Sequence, residues 1–517
     1  MTAPTRAPES GSARPGPLVS TAVALTVAAT FVPLGYVAAA VVSTGPHTAY
    51  QLLMRPHVGE LLANTAALVA LTVPLCVLLG VGAAWLVERT DLPGRRWWRP
   101  LFVAPLAVPA FVNSYAWTTV VPSAHGLAAA VLVTTLSYFP FVYLPVLATL
   151  RRLDPAIEES ARALGSSTTG VFYRVVVPQL RLAILGGALL IGVHLLSEYG
   201  AFAMLRFDTF TTAIFQQFQA TFDGAAGSTL GAVLVLCCLL LLVAEAKLRG
   251  TARYARIGAG VPRPSAPIPL GRQTAAAVAA LLGLALLALG VPVWTILRWT
   301  WIGGAKVWAP ADVATAVVQT TMLAGAAALV TTVLAFPIAW VAVRSRGVLA
   351  RTVEGANYIT SALPGIITAL ALVTVAIRFA PPLYQTATLV IAAYVLLFMP
   401  RALVNVRAGL AQIPTALEEQ SRALGAGPVR TVATVTVPLT APAAAAAAAL
   451  VFVAVATELT ATLLLAPTGT KTLAMRFWSS SSELDYAAAA PYALIMVVLA
   501  IPVTLLLLRQ STRMATA

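Results

Sequence analysis

Charge is what this sequence has least of. Only 10% of its 517 residues are Asp, Glu, Lys or Arg, whereas soluble chains average about 25%. With 59% hydrophobic residues, a soluble chain of this length could not cover its apolar surface, so the shortage of charge excludes a water-soluble globule. Cysteine is also scarce. Cys76, Cys237 and Cys238 all lie inside apolar runs, and neighbours on one helix are poorly placed to bridge each other. That excludes a disulfide framework and any Cys/His zinc spacing. Acidic residues are fewer than basic ones, 18 against 33, which leaves a net charge of +15. The bases are spread between hydrophobic runs and not gathered on one face, so membrane topology accounts for them and no nucleic-acid partner is expected.

What the sequence has is length of apolar run. The mean hydropathy is +0.87, and about twelve stretches are long enough to cross a bilayer core of roughly 30 Å. We place them near 18–42, 59–87, 101–121, 127–150, 181–203 and 228–248, and again near 273–297, 313–343, 353–378, 384–400, 441–463 and 486–508. The first run follows a Pro-, Ala-, Ser- and Arg-rich tail and is too long for a signal-peptide core, so it is expected to stay as a helix. With the N-terminus in the cytoplasm, 26 of the 33 bases fall on inner segments, among them Arg89, Arg344 and Arg401. That asymmetry predicts cytoplasmic termini.

The strongest pattern is a duplication. EESARALG at Glu158–Gly165 returns as EEQSRALG at Glu418–Gly425, an offset of 260 that also maps Pro140 to Pro400, Pro178 to Pro438 and Glu198 to Glu458. Nearer the start of each half the offset is 255, mapping Trp85 to Trp340 and Arg89 to Arg344, so the second half holds a net insertion of five residues, expected in an outer loop. A period this long denotes a duplicated domain. Each half has an even number of spans, so the repeats are parallel about an axis along the membrane normal, with a pathway expected between them. The predicted organisation is a cytoplasmic tail (1–17), a first half (18–248), a cytoplasmic linker (249–272), a second half (273–508) and a C-terminal tail (509–517).

The duplicated segment reads as an elbow. Asp154-Pro155 makes a helix start, Thr415 with Glu418 reads as a capping box, and Gly165 or Gly425 can take positive φ to turn the chain. A second short helix is expected to run to Pro178 or Pro438, at the mouth of the next span. Two glutamates, Glu198 and Glu458, fall within spans just beyond the elbows. A carboxylate there is costly and should face the bundle interior, beside a pathway or in a helix–helix bond. His194, one turn before Glu198, could bond to it. Its counterpart is Ala454, so no symmetric metal site is expected. Glu245 should pair with bases near a helix end.

At the elbows the sequence resembles the signature of ABC importer permeases: Glu-Ala-Ala, three residues, Gly, nine residues, then Ile-x-Leu-Pro. The first copy has Glu159-Ser160-Ala161, Gly165, Val175, Val177 and Pro178. The second has Glu419-Gln420-Ser421, Gly425, Val435, Val437 and Pro438. Both copies keep the spacing and depart at the small residues and at Val for Ile and Leu. The resemblance implies an all-α integral membrane protein with the type I importer fold, twelve spans in two six-helix repeats. Glu198 and Glu458, from their place inside the spans, with Tyr199 and Thr460 close by in sequence, are the candidates for the translocation path. The resemblance makes Glu158, Glu159, Gly165, Pro178, Glu418, Glu419, Gly425 and Pro438 the element that couples to an ATPase. It implies two copies of a separate ABC ATPase subunit and an extracytoplasmic solute-binding protein as partners, and a bacterial inner-membrane location. No cofactor or metal is expected. The string Gly469-Thr470-Lys471-Thr472 lacks the upstream glycine of a phosphate loop, so the chain is expected to be a transporter subunit and not itself an enzyme. The segments DLPGRRWWRP, SEYGAFAMLRFDTFTTAIF and TELTATLLLAPTGTKTLAMRF are similar to fused permeases of the ferric-iron type. Permeases for thiamine, 2-aminoethylphosphonate and polyamines look similar, and a twelve-span secondary transporter is the next class.

Overall fold

The computed structural model describes residues 17–218, 224–249, 267–345, 348–361 and 363–513. Most of the N-terminal tail, the linker from 250 to 266 and the last four residues lie outside the described residues. Among those described, the chain is helical, with a single isolated bridge between Thr90 and Ile268. The first half comprises α1 (Pro17–Thr30), α2 (Val32–Thr44), α3 (Pro46–Leu53), α4 (Pro56–Arg89), α5 (Arg95–Leu101), α6 (Ala110–Val120) and α7 (Gly126–Leu150). It continues with α8 (Pro155–Ala163), α9 (Thr168–Ser197), α10 (Gly200–Met204), α11 (Phe210–Gln216) and α12 (Gly224–Arg249). The second half repeats the pattern with α13 (Gly271–Trp308), α14 (Pro310–Arg344), α15 (Val348–Thr360), α16 (Gly365–Phe379) and α17 (Ala387–Ala411). Then come α18 (Thr415–Ala423), α19 (Pro428–Ala456), α20 (Thr460–Leu465), α21 (Leu473–Ser482) and α22 (Tyr486–Arg513).

Nine of the described helices are long and apolar enough to cross a membrane, and three bent pairs bring the number to twelve. The bends correct the sequence reading in three places. The expected span 101–121 is α5 and α6 meeting at 93°, and 353–378 is α15 and α16 meeting at 105°. Each break falls just before a proline, Pro109 or Pro364, both extended, and a residue that precedes proline is driven out of the helical region. The first span bends by 44° between α1 and α2, ahead of Pro33. Further along, the spans expected to reach 203 and 463 stop at Ser197 and Ala456, and α10 and α20 are separate short helices. The span expected to end at Pro400 runs on to Ala411, which carries Arg401 inside a helix and off the inner loop. The five extra residues fall where α16 and the 380–386 turn exceed α6 and its loop, at the end opposite the elbows.

Packing follows the pseudo-symmetry. One core joins α4, α7 and α9, and its counterpart joins α14, α17 and α19. Two further cores cross between the halves. Ile366, Ile367 and Leu370 of α16 pack with Leu230 and Leu234 of α12 and Val37 of α2. Phe111, Val112 and Tyr115 of α6 pack with Ile296, Phe477 and Tyr492 of the second half. Each bent pair thus reaches into the opposite half, and the Tyr115 hydroxyl donates to the Tyr486 carbonyl across that boundary at 2.7 Å. Three turns of π-helix, at Phe172–Val176, Leu286–Gly290 and Val432–Thr436, each precede a Val-Pro pair. A proline ring inside a helix clashes with the carbonyl four residues back, and the wider turn removes that clash.

Candidate functional site

The elbows form as two short helices around a glycine. Asp154 caps α8 by accepting from Ala156 N at 3.0 Å, with Pro155 in the first helical position. The chain leaves α8 through Gly165 at φ +87° and leaves α18 through Gly425 at the same angle. Paired bonds close each turn: Ser166 N to Ala161 O at 3.1 Å with Gly165 N to Arg162 O at 2.9 Å, and Ala426 N to Ser421 O at 3.1 Å with Gly425 N to Arg422 O at 2.9 Å. Only glycine takes that φ without strain. The capping box read at Thr415 does not form. Pro414 stands at the cap, Thr415 is already helical, and Glu418 turns inward to other partners. The second short helix is not separate either, since it runs through the π-turn into α9 or α19, with Pro178 and Pro438 as the second residue after each turn.

The two glutamates of each elbow part company. Glu159 and Glu419 are exposed, while Glu158 and Glu418 are buried. Glu158 pairs with Arg89 at the end of α4 at 2.8 Å, and Glu418 with Arg344 at the end of α14 at 3.1 Å. Arg162 and Arg422, one turn on, lie 3.4 and 3.6 Å from the same carboxylates. Removing either partner of a buried pair leaves an uncompensated charge, so these ion pairs fix each elbow to its bundle. In the sequence, Arg89 and Arg344 stand out only as an arginine at the end of the second span of both halves; their partners are not legible there. At the apex, Leu164 and Leu424 stand 87% and 89% exposed, an apolar tip on a polar turn that suits a partner surface.

Glu198 and Glu458 stand at breaks between helices. α9 ends at Ser197, and the Glu198 carboxyl accepts from Ala201 N of α10 at 3.0 Å. Glu458 accepts likewise from Ala461 N of α20 at 3.0 Å. The two breaks meet between the halves. A Cβ at Gly200 would come within 2.8 Å of the Leu459 side chain and 2.9 Å of Phe111, so only glycine permits this approach. Tyr199 is buried, its ring 4.1 Å from Phe215 and 5.4 Å from Trp478, and Thr460 is buried at the start of α20.

Around the carboxyls the symmetry fails. Tyr138 donates to Glu198 at 2.9 Å, but its counterpart is Phe398, so Glu458 lacks that donor. Phe141 is matched by Arg401. The expected bond from His194 to Glu198 is absent. His194 Nδ1 instead lies 2.7 Å from the Leu190 carbonyl, and Nε2 faces Arg401 Nη2 at 3.2 Å. The histidine is drawn down its own helix because a carbonyl one turn back offers the nearer acceptor. Glu198, Glu458, His194 and Arg401 all keep accessible surface in the middle of the bundle. Among the described residues no three His, Cys, Asp or Glu side chains gather as metal ligands.

Elsewhere, Glu245 pairs with Arg249 through Nε at 2.8 Å and accepts from Tyr358 OH at 2.7 Å, which ties α12 to α15. Lys471 of the Gly-Thr-Lys-Thr string binds Asp312 at 3.0 Å, and Thr472 caps α21.

Known proteins match this chain in sequence. Residues 76–248 and 331–516 each match the family described as the binding-protein-dependent transport system inner membrane component. The chain is 36% identical over 479 residues to the Fe(3+)-transport system permease protein FbpB 2 of Haemophilus influenzae, covering 92% of this chain and 94% of that one. It is 29% identical over 202 residues to the sulfate transport system permease protein CysW of Synechocystis, covering 35% and 72%. To CysW of Escherichia coli it is 25% identical over 238 residues, covering 42% and 82%. With two family matches, one in each half, and a relative aligned over nearly its whole length, the chain belongs to the inner-membrane permeases of binding-protein-dependent transport.

Proposed function

We propose that the chain is the permease of an ATP-driven importer of ferric iron, with the ATPase supplied as two copies of a separate subunit and the solute delivered by an extracytoplasmic binding protein. The reading is carried by the pair of elbows, each turned at a positive-φ glycine, anchored by a buried Arg–Glu pair and tipped by an exposed leucine. Glu158, Glu418, Gly165, Gly425, Pro178 and Pro438 hold the elbows in shape, and Glu159 and Glu419 face the ATPase. The elbows and both termini lie in the cytoplasm. A cysteine in place of exposed Glu483, at the end opposite the elbows, should label from outside intact cells once the native cysteines are removed.

Iron is favoured by the near full-length relative named for Fe(3+) transport and by two carboxyls at the meeting of the halves. Carboxylate oxygen suits a hard cation, whereas the same charges would repel sulfate, the solute in the names of the relatives that match 35% and 42% of the chain. Glu198 and Glu458 line the path, and Tyr199 and Thr460 form its wall. Radio-iron uptake into proteoliposomes, with the ATPase and an iron-loaded binding protein, tests the whole reading. Uptake that requires ATP is expected, and it should slow in Glu198→Gln/Glu458→Gln while ATPase activity persists. A wild-type complex that moves no iron would reject the solute, and a chain that co-purifies with no ATPase would reject the coupling.

A further inference from the structure

Arg401 acts electrostatically on Glu458, and it comes from one half alone, since Phe141 stands at its equivalent place. His194 lies four residues before Glu198 on α9, about 6 Å toward the elbow end. Arg401, bonded to it, therefore stands between the acids and the elbows, on the side where an imported solute leaves. The guanidinium lies over the Phe398 ring at 5.3 Å and donates to a neutral acceptor of the opposite half, His194 Nε2. No carboxylate comes within ion-pair distance of it among the described residues, although it is within electrostatic reach of Glu458. Glu458, for its part, is held by the Ala461 amide and has no tyrosine such as the one Glu198 has. A guanidinium–carboxylate bond is stronger than one to a neutral ring nitrogen, so this conformation holds Arg401 in the weaker of two contacts. The weaker one joins the two halves, so a movement that parts α9 from α17 at this point would break it.

We propose that Arg401 is a movable countercharge for Glu458: it rests on His194 while the acids are free to meet a cation, and swings to Glu458 as the halves rearrange, displacing that cation from the carboxylate. The step is a competition between two cations for one carboxylate and needs no bond to be made or broken covalently. Its role is positioning, and it rests on the reading of the solute as a trivalent cation.

Terbium(III), a trivalent probe excited through nearby Tyr138, Tyr199 and Trp478, tests this on the full chain in lipid nanodiscs. Arg401→Gln should bind terbium about tenfold more tightly than the wild type, because a unit charge near the site has been removed. Arg401→Lys should stay near the wild type, and Arg401→Gln/Glu458→Gln should lose the gain. Equal affinity in Arg401→Gln and wild type would overturn the proposal, as would a gain that survives the loss of Glu458. Wild-type iron uptake, measured separately, tests the solute, so that failure there is told apart from failure of the arginine.

Discussion

The two halves descend from one pattern and keep different parts of it. Both hold a positive-φ glycine at the elbow and an arginine from the second span on the buried glutamate. The supports around that core differ. In the first half Asp154 caps α8, Glu88 binds Arg99 and Arg151 at 3.0 and 3.2 Å, and the end of the linker is stitched to α4 through Ile268 N to Arg89 O at 2.8 Å. In the second half Pro414 replaces the cap, and Thr436, where the first half has Val176, donates to Glu418 at 3.2 Å. What the halves share is what the proposed docking element would need, a fixed turn and a fixed root. What they do not share is interchangeable scaffolding, and the difference can be tested one support at a time.

The largest effect should come from the shared turn. Valine at Gly165 and Gly425 together would hold a β-branched residue at φ +87° twice, at about 1–3 kcal/mol of strain each. Neither glycine has a neighbouring atom that a side chain would strike, so the fault would be confined to backbone conformation. Membrane levels near normal, with ATPase co-purification and uptake lost, are expected. Retained uptake would separate the turn from coupling.

Next come the roots. Arg89→Ala leaves Glu158 buried with only Arg162 nearby, whereas Arg344→Ala leaves Glu418 with Arg422 and the Thr436 hydroxyl. Breaking a buried pair costs about 3–5 kcal/mol. Arg89→Ala should reach that range and Arg344→Ala should fall below it, as read by thermal unfolding in detergent. Adding Thr436→Val to Arg344→Ala should remove the difference between the halves.

How far the sequence foretold this depends on how local each feature is. The elbows were legible because capping, glycine and proline positions act over a few residues, and the duplication supplied each signal twice. The breaks at Pro109 and Pro364 were not, because an apolar run reads as one span whether or not it bends. Arg401 reads as an inner-loop base only if the span ends at Pro400, and α17 carries that proline without stopping. Thr415 has the side chain of a cap, but Pro414, extended, occupies the cap position. The pairing of Arg89 with Glu158 spans far too much sequence for any local rule to supply, and the asymmetry of Tyr138 with Phe398 was visible only once the carboxyls had positions.

The smallest effect should come from exchanging that last pair. Tyr138→Phe puts into the first half the residue that the second half has at the equivalent place, and Phe398→Tyr does the reverse. The lost bond is single, and the Glu198 carboxyl keeps the Ala201 amide and accessible surface. The cost should thus be about 1 kcal/mol, small for a bond to an acid. Phe398→Tyr faces a different obstacle, since its ring supports the Arg401 guanidinium. A tyrosine there offers Glu458 a donor that competes with the arginine. If the two carboxyls serve the path unequally, Tyr138→Phe should change iron uptake little while Phe398→Tyr slows it, with ATPase activity kept in both. Equal effects from the two exchanges would mean that the carboxyls act as a symmetric pair, and the proposed role of Arg401 at Glu458 alone would then lose its footing.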